Sequence, residues 1–193
     1  PGFSWYGFYD RYQSLYRDWC DWKPPFTSAP LSLDINVRNP RQIGELASQL
    51  GQCPVPIMFR VDNGPQPVIQ ISRDFAGMAQ QLRRLLRQLL QREGLAPERI
   101  VVLAPYRHTN LQSAWAAGLD EVTVTDDMVT PSPGQVRVGT LQGFKGLEAD
   151  VVILAGINGP AASHPEWLYV GISRARGAVF LLALEQSGLS ASE

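Results

Sequence analysis

Apolar and polar positions follow two different periods along this chain, one typical of helices and one typical of strands. Between residues 75 and 90 the apolar side chains recur every three or four positions, which indicates one face of an amphipathic helix. Ser72 or Asp74 can cap this helix, which we expect to run to about Glu93 and to stop at Gly94. The apolar stripe consists of Phe75, Met78, Leu82, Leu85, Leu86, Leu89 and Leu90.

Shorter apolar segments on both sides of this helix predict strands. Asn39 and Pro40 are expected to open a further helix as its cap and first-turn proline. Strands that alternate with helices favour an α/β fold, with a mostly parallel sheet and helices on both faces. The predicted strands are 66–72, 99–105, 121–125, 136–138, 151–154 and 178–184, and the other predicted helices are 39–50, 111–118 and 165–173.

The stretch 136–154 joins two of these strands by a polar loop that contains glycine. Its second strand is an unbroken apolar run, which is typical of a strand covered on both faces. Since α/β proteins often bind ligands at such loops, the stretch is a candidate site. Its polar residues are Thr140, Gln142, Lys145 and Glu148.

Composition narrows the possible functions. The 193 residues carry 45% hydrophobic side chains and a net charge of −1, so nucleic acid must be bound by a local groove and not by a global positive field. Cys20 and Cys53 match no metal or redox spacing and are interpreted as reduced thiols of a cytosolic protein. The sequence has no apolar run of 18 residues, so we expect no membrane partner.

Several catalytic patterns are missing from the sequence. It contains neither the GxxxxGK[ST] phosphate-binding loop nor the dinucleotide-binding glycine pattern. His108 and His164 lie in different segments, so no metal site is predicted. Three arginines stand at strand or helix edges, one of them directly after the stretch 33–36 and Val37. A planar, permanently charged guanidinium suits phosphate, although each arginine taken alone fits a surface ion pair better. These arginines are Arg38, Arg107 and Arg174.

Aromatic residues are concentrated at the start of the chain, where ten of the eighteen lie within the first 26 residues. We interpret this aromatic-rich N-terminal extension as a patch that packs on the body of the protein or against another domain.

Five segments resemble motifs of superfamily 1 helicases of the UvrD/Rep type. TLQGFKGLEADVVIL (140–154) resembles motif V, T-x-H-x-x-K-G-L-E, and WLYVGISRARGAVFLL (167–182) resembles motif VI, Y-V-x-x-[ST]-R-A. LSLDINVRNPRQI (31–43) resembles motif IV through its N-x-R pattern. IVVLAPYRHTNLQS (100–113) resembles the next family strand, and FYDRYQSLYRDW (8–19) resembles motif III. The resemblance therefore covers almost the whole chain.

The resemblance implies a RecA-like fold and a division of the chain. Residues 31–193 look like the second RecA-like domain, and residues 1–30 look like the tail of the first domain with a linker. The family's large insertion is nearly absent, because only about 30 residues separate Tyr106 from Val136. The family binds ATP with Mg²⁺ between two such domains, and the Mg²⁺ ligands lie in the first. The implied partners are that first domain of the same protein and single-stranded DNA.

The resemblance also implies roles for single residues. Arg38 and Arg174 match arginines that contact the γ-phosphate, and Glu148 matches a glutamate that binds the nucleotide ribose. Gln13 matches a glutamine that links the γ-phosphate to the DNA site, so Arg38, Arg174 and Gln13 are the implied catalytic residues. The implied contacts with single-stranded DNA are Tyr16, which stacks on a base, together with Thr140, Gln142, Arg107 and Asn110.

Two departures from the family pattern leave alternatives open. Val37 replaces the tyrosine that stacks on adenine, and Gln142 replaces the motif V histidine. The first interpretation is the C-terminal motor domain of an ATP-dependent DNA helicase, inactive alone because it lacks the phosphate-binding loop. A non-catalytic nucleic-acid or protein-binding module and a different nucleotide-binding α/β enzyme are the alternatives. Two further alternatives are that Glu148 simply forms an ion pair with Lys145 and that Tyr16 lies in the core.

Overall fold

A computed structural model describes residues 10–13, 15, 31–56, 58–105, 119–120 and 122–191. Most of the aromatic-rich N-terminal extension lies outside the described residues, and so does Tyr16. The predicted helix 111–118 lies outside them as well, together with Arg107 and Asn110.

Six strands form one sheet in which every pair of neighbours is parallel. The strands are β3 (Val68–Ser72), β4 (Ile100–Ala104), β5 (Val124–Thr125), β6 (Val136–Thr140), β7 (Ala149–Ile157) and β8 (Ala175–Leu184). Their order across the sheet is β3-β8-β7-β4-β6-β5. Two further strands, β1 (Ile35–Pro40) and β2 (Met58–Val61), form a separate parallel pair.

Helices cover both faces of the main sheet. They are α1 (Arg41–Leu50), α2 (Phe75–Arg87, continued by a π-helical turn over Gln88–Arg92), α3 (Gly159–Ala162) and α4 (Pro165–Ile172). On one face α2 packs its apolar stripe against Ile100 and Val102 of β4. On the other face α1 and α4 pack against Val101 and Leu103 of the same strand. Alternate residues of a strand point to opposite faces, so an all-apolar strand serves two cores. The predicted α/β fold is confirmed.

The long helix begins and ends as its pattern predicts. The Asp74 side chain accepts a hydrogen bond from the Gly77 N–H at 2.7 Å, as an N-cap does. Gly94 follows the π-helical turn with φ of +66°, a backbone conformation that glycine adopts without strain. None of the helices among the described residues is long and apolar enough to cross a membrane.

Three sequence-based boundaries are wrong. Asn39 is not a helix cap, because it belongs to β1 and its amide bonds to carbonyl groups before and within β8, while α1 begins at Arg41. The strand predicted from residue 178 begins at Ala175, since its first residues pair with β7 across an irregular register. Of the described residues in the stretch 121–125, Val124–Thr125 form the strand. The pair β1–β2 adds a strand, β2, that the pattern does not indicate.

Candidate functional site

Three of the predicted site residues meet at the edge formed by the amino-terminal ends of β7 and β8. Glu148 directly precedes β7 and Arg174 directly precedes β8, whose first residues, Ala149 and Ala175, are register partners. Arg38 reaches this edge from β1, where its Nε lies 3.0 Å from Glu148 Oε2. The fold therefore brings together residues from three distant sequence motifs.

The polar loop between β6 and β7 reaches both ends of the sheet. It leaves the carboxyl end of β6 at Thr140 and arrives at the amino end of β7 after Glu148, because the two strands are parallel. The general expectation of a ligand loop at the carboxyl ends thus applies only to its first half. Thr140 and Gln142 lie near one end of the sheet, and Glu148 lies at the other.

Local contacts fix the shape of this loop. Thr140 Oγ1 accepts a hydrogen bond from the Gly143 N–H at 3.1 Å, which closes the first turn. Phe144 is fully buried in the core beneath, with the Arg137 guanidinium 5.1 Å from its ring centroid. Gly146 has φ of +89°, so a side chain at this position would strain the backbone. The loop is anchored in the middle and exposes polar groups on both sides.

Arg174 is the most buried cation of the cluster, with only 2% of its surface exposed. Its Nε donates to the Val170 carbonyl at 3.1 Å, and its Nη2 donates to Ser173 Oγ at 3.0 Å. Burial, followed by repulsion from Arg38, lowers the pKa of Arg174 to about 10. Two guanidiniums that repel each other at a partly dry edge favour an anion between them.

Two asparagines hold Arg38 in place beside this cluster. Asn36 Oδ1 accepts hydrogen bonds from the backbone N–H groups of Arg38 at 3.1 Å and Asn39 at 2.9 Å. The buried Asn39 side chain donates to the carbonyl oxygens of Ser173 at 3.1 Å and Ala175 at 2.6 Å. The segment that carries Arg38 is thereby joined to the turn that carries Arg174.

Gln13 also lies against the motif V and motif VI segments. Its backbone carbonyl accepts a hydrogen bond from Lys145 Nζ at 2.9 Å, and its side-chain amide donates to Asp10 Oδ2 at 2.9 Å. The same carboxylate accepts from the Tyr169 hydroxyl at 3.2 Å, and Tyr12 contacts the Tyr169 ring edge-on. Burial first, and then Asp10, raises the pKa of Tyr169. The 10–13 turn therefore docks on α4.

Sequence reasoning missed several charged residues around the cluster. Arg176 Nη1 lies 3.3 Å from Glu148 Oε1, so two arginines, Arg38 and Arg176, flank this carboxylate. Asp150 joins Arg176 to Arg99 along the same edge. Only an irregular strand register reveals this arrangement, and a register is not visible in the sequence. Among the residues that the structure describes, no group of three or more His, Cys, Asp or Glu side chains is placed to hold a metal ion.

Comparison with known proteins agrees with this arrangement of motifs. The family of UvrD-like helicase C-terminal domains matches residues 135–182, which contain the polar loop, β7, α4 and most of β8. No curated protein matches the chain. A solved structure with a similar fold is the C-terminal domain of a possible DNA helicase from Lactobacillus plantarum WCFS1, with a TM-score of 0.58 and 21% sequence identity. That alignment covers 77% of this chain and 87% of the other. Residues 135–182 are therefore similar to a UvrD-like helicase C-terminal domain, and the solved structure shows a similar fold.

Proposed function

We propose that this chain is the C-terminal motor domain of an ATP-dependent DNA helicase or translocase. In this proposal residues 31–193 form the second RecA-like domain, and residues 1–30 end the first. The observation that carries the proposal is the convergence of Arg38, Glu148 and Arg174 at one edge of the sheet. Without the phosphate-binding loop of a first domain, the chain alone does not hydrolyse ATP.

The residues at this edge fit a nucleotide in charge and in hydrogen bonding. Arg38 and Arg174 present permanent positive charge to phosphate groups, and their mutual repulsion is relieved by an anion. Glu148 presents a half-exposed carboxylate that accepts a hydrogen bond from a ribose hydroxyl. When bound, ATP with Mg²⁺ supplies the phosphoryl group whose developing charge the two arginines stabilise.

The contacts with single-stranded DNA are assigned to the other end of the polar loop. Thr140 and Gln142 offer neutral hydrogen-bonding groups there, away from Glu148. Tyr16, Arg107 and Asn110 complete this assignment by their match to the family motifs. Gln13 is the proposed link between the two regions, and its contact with Lys145 supports that role. Cleft closure would then change both sites together.

The test is an Arg174→Ala substitution in the full-length protein that contains this domain. Loss of a guanidinium that stabilises transferring phosphate reduces turnover by about 10³-fold or more. ATP turnover is measured with and without single-stranded DNA. The control is Arg73→Ala, which removes an exposed arginine paired at 3.7 Å with Glu185, outside the proposed site. Wild-type turnover in the Arg174 variant overturns the proposal, and so does DNA-stimulated ATP hydrolysis by this chain alone.

A non-catalytic nucleic-acid or protein-binding module is the second candidate. It is favoured by Val37, which is 65% exposed and stands beside Arg38 in place of an aromatic residue. Ile35 on the same strand face and Met58, its register partner, are also exposed, so the strand pair presents an apolar surface. Sequencing the gene upstream of this chain separates the candidates. A GxxxxGK[ST] loop supports the motor, and a nearby start codon without one supports the module.

A further inference from the structure

Arg176 has no role in the motifs described so far, yet it occupies a defined place next to Glu148. Its Nη1 lies 3.3 Å from Glu148 Oε1, while Arg38 Nε lies 3.0 Å from the other oxygen, Oε2. Each oxygen of one carboxylate therefore faces a different arginine. On its other side, Arg176 approaches Asp150, with Nε 3.9 Å from Oδ1, and Asp150 in turn binds Arg99 at 2.5 Å.

An irregularity of the sheet directs Arg176 toward this carboxylate. Ala149 pairs with Ala175 and Val151 pairs with Ala178, so β8 advances three residues where β7 advances two. The extra residue creates a bulge at Arg176 and Gly177, and bulges near sites often redirect a side chain. A Cβ atom added to Gly177 would lie 3.0 Å from the Asp150 carbonyl oxygen, so the bulge packs tightly with glycine in place.

We propose that Arg176 is a positioning residue, which holds the Glu148 carboxylate in place for a nucleotide ribose. This inference rests on the function proposed above. In the structure Glu148 is shared by Arg38 and Arg176. When Arg38 turns to the phosphates of a bound nucleotide, Oε2 of Glu148 becomes available to a ribose hydroxyl. Arg176 then remains as the partner that keeps the carboxylate oriented.

The arrangement couples recognition of phosphate to recognition of ribose. A nucleotide with both groups draws Arg38 to its phosphates and places a ribose hydroxyl on Glu148. A ligand that lacks the phosphates leaves Arg38 on Glu148, and a ligand that lacks the ribose leaves Glu148 without a new partner. Arg176 suits this role because it is not one of the arginines that are proposed to bind the phosphates. Its second partner, Asp150, is itself fixed by Arg99, so the support extends along the edge of the sheet.

The decisive readout is discrimination between ATP and 3′-deoxy-ATP by the full-length protein. The ratio of their kcat/KM values reports the ribose contact directly, whereas a purely structural loss would lower both values together. The variants are Arg176→Gln, Glu148→Gln and their combination. Arg73→Gln is the matched control, because it removes an arginine from an exposed ion pair, with Glu185. Thermal unfolding of each variant verifies that the domain is folded.

We expect Arg176→Gln to raise KM for ATP about fivefold and to shift the discrimination ratio toward one. The double variant should behave like Glu148→Gln alone, because both changes act on one contact. Arg176→Lys should recover only part of the discrimination, since an ammonium group does not reproduce the guanidinium fork.

A wild-type discrimination ratio in the folded Arg176→Gln variant overturns the inference, as do additive effects in the double variant. These failures differ from a failure of the proposed function. If Arg174→Ala leaves turnover unchanged, the motor assignment is lost, and the positioning role is lost with it. If Arg174→Ala abolishes turnover while Arg176→Gln keeps its discrimination, only the positioning role is wrong.

Discussion

At the scale of single residues, Arg174 shows how a site can reduce the stability of the fold that holds it. The guanidinium is almost fully buried, and its pKa is lowered to about 10 by burial and by Arg38. A lowered pKa means that the folded state disfavours the charged form. The cost of burying the charge is therefore fully present below about pH 10 and declines only as the pH rises above it.

We predict that Arg174→Met stabilises the domain although it removes a proposed catalytic residue. Methionine fills a similar space without a buried charge, and we expect the free energy of unfolding to rise by about 1 kcal/mol or more. The gain should be the same between about pH 6 and pH 8, because both values lie below the pKa. Urea denaturation measures it, with Arg73→Met as a surface control. A loss of stability would show that the hydrogen bonds to Val170 and Ser173 outweigh the burial cost.

Sequence motifs located some of the clustered residues and could not locate others. Arg38, Glu148 and Arg174 are visible because each stands inside a pattern of several fixed positions. The sequence does not reveal the role of Arg176, because its position depends on one extra residue in β8. That extra residue can be recognised only from the way β8 pairs with β7. The local sequence predicts Asn39 as a helix cap, because its actual hydrogen-bond partners lie more than 130 positions away along the chain.

At the scale of elements, β1 and β2 stand apart from the main sheet as a separate parallel pair. The buried Asn39 side chain is one polar link to the main sheet, through Ser173 and Ala175, and the ion pair of Arg38 with Glu148 is another. The Asn39 amide is the link that joins the segment that carries Arg38 directly to the turn that carries Arg174. An element held in this way is sensitive to the loss of a single donor.

We predict that Asn39→Ala destabilises the domain by about 2 to 3 kcal/mol, because it leaves two carbonyl oxygens without their donor in a buried place. Urea denaturation provides the measurement. Asn63→Ala is the matched control, since Asn63 lies on the surface, and it should change stability by less than about 0.5 kcal/mol. Equal stability of the Asn39 and Asn63 variants would mean that water replaces the amide and that the link is not structural.

The spacing of apolar residues predicts the elements that bury one apolar face. It does not predict strands that bury few of their own residues or that pair irregularly. The apolar stripe of α2 repeats every three or four residues, so its position was clear, and Asp74 and Gly94 marked its ends. The stretch Met58–Val61 has no such repeat, because only Phe59 of its residues is buried, and β2 therefore went unpredicted. Such a short strand exists because β1 pairs with it, not because of its own pattern.

At the scale of the whole molecule, balanced charge limits how nucleic acid can be bound. The chain has 17 Lys and Arg residues against 18 Asp and Glu residues, and its net charge is −1. Several arginines of the described residues are already engaged in ion pairs, among them Arg38, Arg41, Arg99 and Arg176. These ion pairs lower the positive charge that is available to follow a phosphate backbone. Any affinity for single-stranded DNA should thus depend on hydrogen bonds and stacking more than on charge.

We therefore predict a shallow salt dependence for single-stranded DNA bound to this chain. With about three phosphate contacts, the slope of log K against log salt concentration should be about −2. Fluorescence anisotropy of a labelled oligothymidylate, titrated over a range of salt concentrations, measures it. Gln142→Ala should weaken binding without changing the slope, because a neutral amide releases no counterion. A slope steeper than about −4 would contradict this prediction, since it requires a continuous basic groove.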